Sequence, residues 1–477
     1  MIRIAAGLLM LTLAVSPAFA QKEALSHSIR EREAATWNIA LRIWELAEPG
    51  YQEFESARLL ADLLENAGFR VERKVADIPT AFTATYGEGS PVIAILGEYD
   101  ALPGLSQQAI PEQLPRPQAS YGQACGHHLF GAASASAAIA VAEQIKVGNL
   151  RGTVRFYGCP AEEGGSGKAF MVRAGLFQDC DAAFHWHPAG RNTAGDSSCL
   201  ARAAVKFRFD GRSAHAAGAP EQGRSSLDAV ELACHASELL REHTPDFTRI
   251  HHVITSGGSA PNVVPDFAEV FFYIRHPKAE VVRELYPRLV KCAQAGALAT
   301  ETKLDEQYLG GTMELLPNDR LAQIALANLR ELNDLKYDEE QATFALKIRE
   351  TLMKPQPLES INQVADTSGE VGKGSTDVGD VSWVVPTAGF TTACFVPGTP
   401  SHSWQAVAAG GTSIGKQGMQ LAARTMAASV WDLMSQPEII QQAKAEHAER
   451  LAGRKYQPLI LPGQAPPLDY RNTPGTP

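Results

Sequence analysis

Two spacings of apolar residues alternate along most of this chain. Apolar positions recurring every three or four residues predict helices over 25–47 and 53–67, the second stopped at Gly68. Short apolar runs predict strands at Ala81–Tyr86 and Val92–Gly97, the latter so uniformly apolar that it reads as buried on both faces. A loop rich in Pro and Gln over 103–124 leads into a helix of small residues, Leu129 to Ile145. A strand at Thr153–Tyr157, a helix at Lys168–Ala174 and a short strand at Ala182–Phe184 follow. Strands alternating with helices in this way point to an α/β sheet covered on both faces.

The texture changes near residue 200. A strand at Ala204–Phe209, a helix at Ser225–Glu242, strands at His251–Thr255 and Ala268–Arg275, a helix at Glu280–Ala295 and a strand at Glu301–Gln307 give the order β-α-β-β-α-β. That order fits a small ferredoxin-like α+β unit. It is expected to be an inserted domain over 199–315, dividing a catalytic domain into 21–198 and 316–452. The tail over 453–477 holds many Pro and Gly and is expected to run over the surface.

Composition narrows the function classes. With 477 residues, 45% of them hydrophobic, the chain can bury two cores and is no fibre or disordered segment. A formal net charge of −10 and the lack of any Lys/Arg-rich run argue against nucleic acid as a partner. Arg3, the apolar run Ile4 to Val15 and the small-x-small triplet Ala18-Phe19-Ala20 together read as a secretion signal, 1–20, cut after Ala20. A periplasmic or secreted enzyme is expected, with no stable membrane insertion after cleavage. The seven cysteines are odd in number, so at least one is free or pairs between chains. A thiolate held on a metal would be protected from oxidation, which makes one of them a candidate ligand.

Candidate metal-binding residues sit in short clusters near predicted strand ends, where ligands gather in open α/β sheets. Cys125-Gly126-His127-His128 can aim a thiolate and an imidazole at one site only if the backbone bends sharply, which Gly126 permits. Glu162 and Glu163 are adjacent carboxylates followed by a Gly-rich turn. One can hold a metal while the other takes a proton from water, although adjacent glutamates are also common in solvated loops. His185 and His187 lie on one face of a strand, leaving open which of them ligates. His402 occupies a late turn-rich loop, and Asp100 ends a buried strand, placed either to orient a ligand imidazole or to cap a turn. Arg275 at a strand end could bind a substrate carboxylate, but such an arginine is more often structural.

These clusters resemble metallopeptidase family 20, in the branch holding aminoacylase-like amidohydrolases, auxin-conjugate hydrolases and aminobenzoyl-glutamate hydrolase. The matching segments are GEYDALPGLSQQ from Gly97, ACGHH from Ala124, YGCPAEEGGSGKAFMVR from Tyr157, WHP from Trp186, NVVP from Asn262, GSTDVGDVSW from Gly374 and GTPSHSW from Gly398. The resemblance implies a zinc-exopeptidase-like catalytic domain with an inserted lid and dimerisation domain, hence a homodimer. It implies two divalent ions, zinc or manganese, with Cys125 bridging and His127, Glu163, His187 and His402 completing the site. Glu162 would be the general base, His215 of the lid would steady an oxyanion, often in the partner's active site, and Asn262 would contact substrate. The sequence departs from the branch at His128, where Asp is usual. The implied substrate is an N-acyl or N-aroyl amino acid. A dipeptidase or carboxypeptidase of the same fold, and a non-catalytic periplasmic binding protein, are the alternatives.

Overall fold

The structure is a computed structural model that describes residues 17–471. The expected signal over 1–20 therefore lies almost wholly outside the described residues. The chain opens with three helices, α1 (Pro17–Glu31), α2 (Glu33–Leu46) and α3 (Phe54–Asn66). The single helix expected over 25–47 is broken at Arg32, whose φ/ψ of −95°/6° lets α1 and α2 diverge. Arginine is a good helix former, so apolar spacing gives no sign of this break. Its guanidinium instead ties the corner to Ser28 (2.8 Å) and to Glu143.

Next come β1 (Arg70–Arg73), β2 (Phe82–Glu88), β3 (Val92–Gly97), the two-residue strands β4 (Leu102–Pro103) and β5 (Tyr121–Gly122), and α4 (His127–Lys146). They are followed by β6 (Gly152–Gly158), α5 (Gly167–Arg173), β7 (Ala182–Ala189) and β8 (Asn192–Ala194). The lid comprises β9 (Ala201–Asp210), α6 (Ser226–Arg241), β10 (Arg249–Ser256), β11 (Phe267–His276), α7 (Ala279–Thr300) and β12 (Lys303–Thr312). The chain then returns through α8 (Asp319–Leu332), α9 (Glu339–Glu350), β13 (Val364–Asp366), α10 (Val378–Ser382), β14 (Thr387–Ala393), α11 (Trp404–Gly410), α12 (Ser413–Ser435) and α13 (Pro437–Leu451).

The larger sheet has eight strands in the order β1-β2-β6-β3-β7-β14-β8-β13. Its centre, β6-β3-β7-β14, is parallel throughout, so four strands deliver their carboxyl ends to one edge. All six residues of β3 are buried. Ile93 and Ile95 join the core that contains α4 and α12, whereas Ala94 and Leu96 face the core that contains α5 and α10. Gly131 of α4 lets the helix close onto this strand, since a Cβ there would lie 2.7 Å from the Glu98 carbonyl oxygen.

The smaller sheet is fully antiparallel in the order β10-β11-β9-β12, with α6 and α7 packed on it. In chain order its outer strands are the second and fourth, the arrangement of a ferredoxin-like unit. The tail runs mostly over the surface but is anchored at three points. Leu459 and Ile460 are buried, and Tyr470 is 3% exposed. No helix among the described residues is long and apolar enough to cross a membrane.

Candidate metal centre

The carboxyl ends of β3 and β6, the end of β7 and the loop after β14 converge with the first turn of α4. Gly126 caps α4 at φ +79°, and a Cβ there would meet the Pro188 ring at 2.8 Å. This bend swings Cys125 and His127 together and brings both against β7. Cys125 Sγ lies 3.3 Å from His187 Nε2. Three groups of ligand atoms result, each within 4.8 Å: Cys125–His127–His187, Cys125–Glu163–His402 and Glu98–His127–Glu162. Cys125 belongs to the first two groups, as a thiolate shared by two ions would.

The imidazoles are held in defined tautomers. His127 Nδ1 hydrogen bonds Asp100 Oδ1 at 2.8 Å, and His187 Nδ1 hydrogen bonds the Pro188 carbonyl at 2.8 Å. If each Nδ1 carries the proton, each Nε2 is left as a lone-pair donor, the usual division in metal-bound histidine. His127 Nε2 is buried 3.1 Å from Glu98 Oε2 without the alignment of a hydrogen bond, and Glu163 Oε1 stands in the same relation to His402 Nε2 at 3.2 Å. Two buried donor atoms without a hydrogen-bond partner, His127 Nε2 and Glu163 Oε1, together with the nearby thiol and imidazoles fit divalent metal ions.

Electrostatics agree with a ligand set. Burial works to raise the Cys125 thiol, but His187 and His127 outweigh it and bring it down to about 5. Partial burial likewise opposes charge on His402, yet the Cys125 and Glu163 groups beside it lift it to about 11. Burial, then Glu163 and Glu98, push the Glu162 carboxyl well above the usual range. A carboxyl that readily keeps a proton suits general acid-base work.

The glutamate turn is strained. Ala161 and Ser166 take left-handed φ of 57° and 60°, and Gly164 has φ +107°. Each such non-glycine residue costs about 1–3 kcal/mol and persists only when its surroundings hold it. The Ala161 amide donates to Glu53 Oε1 at 2.8 Å and the Glu163 amide to Asp100 Oδ2 at 2.9 Å. Asp100 thus orients both His127 and Glu163. His402 also has a left-handed φ, 57°, and its amide donates to the Ala124 carbonyl at 3.2 Å.

Several candidate residues stand elsewhere. His185 packs over Gly389, where a Cβ would meet its ring at 2.1 Å, and belongs to none of the three ligand groups. His128 is buried and points away, with Nε2 3.1 Å from the Gly410 carbonyl. Burial drops it to about 3, so it is a neutral tie between α4 and the end of α11. The unusual His therefore occupies a packing position. His215 and Asn262 lie together in the lid, exposed, joined by the Ala216 amide to the Asn262 carbonyl (3.0 Å) and a bridge from His215 to Val263. Among the described residues neither makes a hydrogen bond or ion pair with the metal cluster.

Other groups around the site escape sequence reasoning. Lys168, fully buried, reaches Glu98 Oε1 and Asp377 Oδ1 at 2.6 Å each. Burial opposes its charge, but Asp377 and Glu98 keep it cationic. Glu98, Lys168 and Asp377 all fall inside the motifs quoted above, and that is their only signal. Arg202 and Arg275 face each other in register on β9 and β11, stacked on Tyr273 at 4.8 and 5.4 Å, and neither has an ion-pair partner among the described residues.

Fold and donor set together define a metal-dependent hydrolase, an α/β catalytic domain carrying a second, inserted sheet as its lid. A family profile described as a peptidase dimerisation domain matches residues 201–301, the lid. The chain is 43% identical over 440 residues to one of the subunits of the p-aminobenzoyl-glutamate hydrolase of Escherichia coli, covering 86% of this chain and 92% of that one. It is 28% identical to Xaa-Arg dipeptidase of Mus musculus, over 85% and 86% of the two chains. An aminobenzoyl-glutamate utilization protein from Klebsiella pneumoniae superposes with a TM-score of 0.60 at 17% identity, over 86% of this chain and 99% of that one. A Bacillus subtilis dinuclear metal binding peptidase of the M20 family superposes with a TM-score of 0.54 at 17% identity, over 85% and 99%. This chain belongs to the M20 metallopeptidase family, in its amidohydrolase branch.

Proposed function

We propose that this chain hydrolyses the amide bond of an N-acyl or N-aroyl amino acid whose amino acid part is acidic. The observation that carries the reading is the shared Cys125 sulfur between two ligand groups, with Glu162 in a third group that contains His127. Cys125, His127, Glu163, His187 and His402 would hold two divalent ions, zinc or manganese, which supply Lewis-acid polarisation of water and carbonyl when bound. Glu162 takes the proton of the attacking water and returns it to the leaving amine. Asp100 holds His127 and Glu163 in place. His215 Nδ1 accepts the Ala217 and Gly218 amides at 3.2 and 3.0 Å, so a neutral ring carries its proton on Nε2, ready to donate to an oxyanion. Asn262 stands beside it for substrate.

The acidic preference rests on Arg202 and Arg275. Like charges in direct register repel, and an anion between them would relieve both. Burial and Arg202 lower Arg275 from its usual value, which a substrate carboxylate would reverse. Arg275 also opens on a cavity of about 890 Å³ walled by Leu200, Phe247 and Val281, large enough for an aroyl group. The same two guanidiniums disfavour an arginine side chain, so the Xaa-Arg dipeptidase reading ranks second. The hydrolase and the dipeptidase among the similar proteins favour an enzyme over a non-catalytic binder.

A panel of acyl-, aroyl- and dipeptide substrates with added manganese or zinc tests this. Release of amine is expected to be greatest for acyl-glutamate or acyl-aspartate. Glu162→Ala should keep its metal and lose most turnover, and near wild-type turnover would sink the base assignment. Two further parts of the reading have their own tests. The exposed Val253 and Ile254 on the edge strand β10 support a homodimer through the lid, to be read by light scattering. Export with cleavage after Ala20 is checked by amino-terminal sequencing of the processed protein.

A further inference from the structure

We propose that the carboxyl-terminal strap over 453–471 is a working part of the metal loop, with Tyr470 and Arg471 as positioning residues for Glu162 and Glu163. The proposal rests on the roles just given to those two glutamates. Beyond α13 the chain runs along the seam between lid and catalytic domain. Arg454 stacks on Trp383 at 4.8 Å, and the Tyr456 hydroxyl donates to Asp380 Oδ1 at 2.7 Å. The Tyr308 hydroxyl of β12 donates to the Leu459 carbonyl, and Gln464 Nε2 donates back to the Tyr308 carbonyl at 3.0 Å. Arg173 of α5 donates to the Leu461 and Gln464 carbonyls. The strap is thus fastened to both domains before it reaches the site.

Its last described residues meet the glutamate turn. The Tyr470 ring packs edge-on against Tyr51 at 5.8 Å, and its hydroxyl donates to the Glu163 carbonyl at 3.0 Å. The Arg471 guanidinium donates to that same carbonyl. Lys206 of the lid strand β9 donates to the Tyr470 carbonyl at 3.3 Å. Glu163 is therefore pinned at its amide by Asp100 and at its carbonyl by two strap side chains. The flanking residues Ala161 and Ser166 are in left-handed conformations that would relax if released. Fixing that peptide fixes the direction in which the Glu163 carboxylate leaves the backbone, and that of Glu162 before it. Because Lys206 and Tyr308 belong to the lid, the strap also passes the lid's position to the metal loop.

The test compares wild type with Tyr470→Phe, Arg471→Ala, the double variant and Arg471→Lys. The readouts are kcat and KM on an N-aroyl glutamate and, independent of turnover, the manganese dissociation constant by chelator competition. Misplacing a reacting group by a fraction of an ångström is costly, so the double variant should lose about tenfold or more in kcat with KM within about twofold. Manganese should bind about fivefold or more weakly, as when a group that orients a ligand is lost. Arg471→Lys, which keeps a cationic donor, should recover much of both. A double variant within about twofold of wild type in both kcat and manganese affinity overturns the proposal. If the double variant does not fold, Tyr470→Phe, which removes one hydroxyl from the same carbonyl, is judged by the same two limits. If wild type turns over none of the panel, the functional reading fails while the manganese constant still decides the strap.

Discussion

Asp100→Asn changes one atom and strikes two ligands. The native carboxylate accepts from both sides, His127 Nδ1 on Oδ1 at 2.8 Å and the Glu163 amide on Oδ2 at 2.9 Å. An asparagine offers one acceptor and one donor. If its amide nitrogen faces Glu163, two donors confront each other and the strained turn loses its pin. If it faces His127, Nδ1 must become the acceptor and the proton moves to Nε2, the nitrogen beside Glu98 whose lone pair a metal would need. In the first case a buried hydrogen bond to a charged group gives way to an unsatisfied donor, and in the second a metal can take Nε2 only by forcing the Nδ1 proton back against the amide, at a cost of about 1.5–3 kcal/mol in either case. That corresponds to roughly a 10- to 100-fold loss of metal affinity, the range seen when such orienting partners are removed. Manganese or zinc dissociation constants for wild type and variant, by chelator competition at pH 7, measure it. Thermal melts of the two metal-free proteins show whether the fold is intact. An affinity within about twofold of wild type, with matched melts, would refute the argument that Asp100 acts through His127 and Glu163.

Three further outcomes follow from the same geometry. Lys168→Met leaves Glu98 and Asp377 buried without their cation and should cost about 3–5 kcal/mol in urea unfolding, with a loss below about 1 kcal/mol counting against it. Gly131→Ala puts a Cβ 2.7 Å from the Glu98 carbonyl oxygen and should lower stability by about 1–3 kcal/mol, with a lower melting temperature and weaker metal binding. Asp380 is raised to about 7 by burial, with Asp377 adding to it. Its carboxyl stays neutral in the folded chain while the unfolded chain ionises near pH 4, so this contribution to stability is full below pH 4 and gone above pH 7. Asp380→Asn should flatten that fall, by up to roughly 4 kcal/mol, and identical pH–stability curves for the two proteins would exclude it.

The alternation of strands and helices, and the β-α-β-β-α-β order of the lid, were legible because apolar spacing records which face of each element is buried. Short or polar elements escaped. Strand β1, Arg-Val-Glu-Arg, has one apolar residue, and Arg32 breaks a helix without a helix-breaking side chain. The ligand-bearing clusters could be picked out because their residue types are chemically unusual and sit at strand ends. What the sequence by itself could not supply was direction. His185 and His187 share one strand face, and only packing sends one ring over Gly389 and the other to Cys125. The buried Lys168 joins residues 70 and 209 positions away. The tail reads as a polar, Pro-rich surface segment, yet Tyr470 and Arg471 end on a carbonyl more than 300 residues earlier. Residue type and local spacing determine the chemistry that is available and the elements that carry it. Which donors converge, and what holds them there, is decided by long-range closure, since the partner of each buried polar group is found only once the cores have packed.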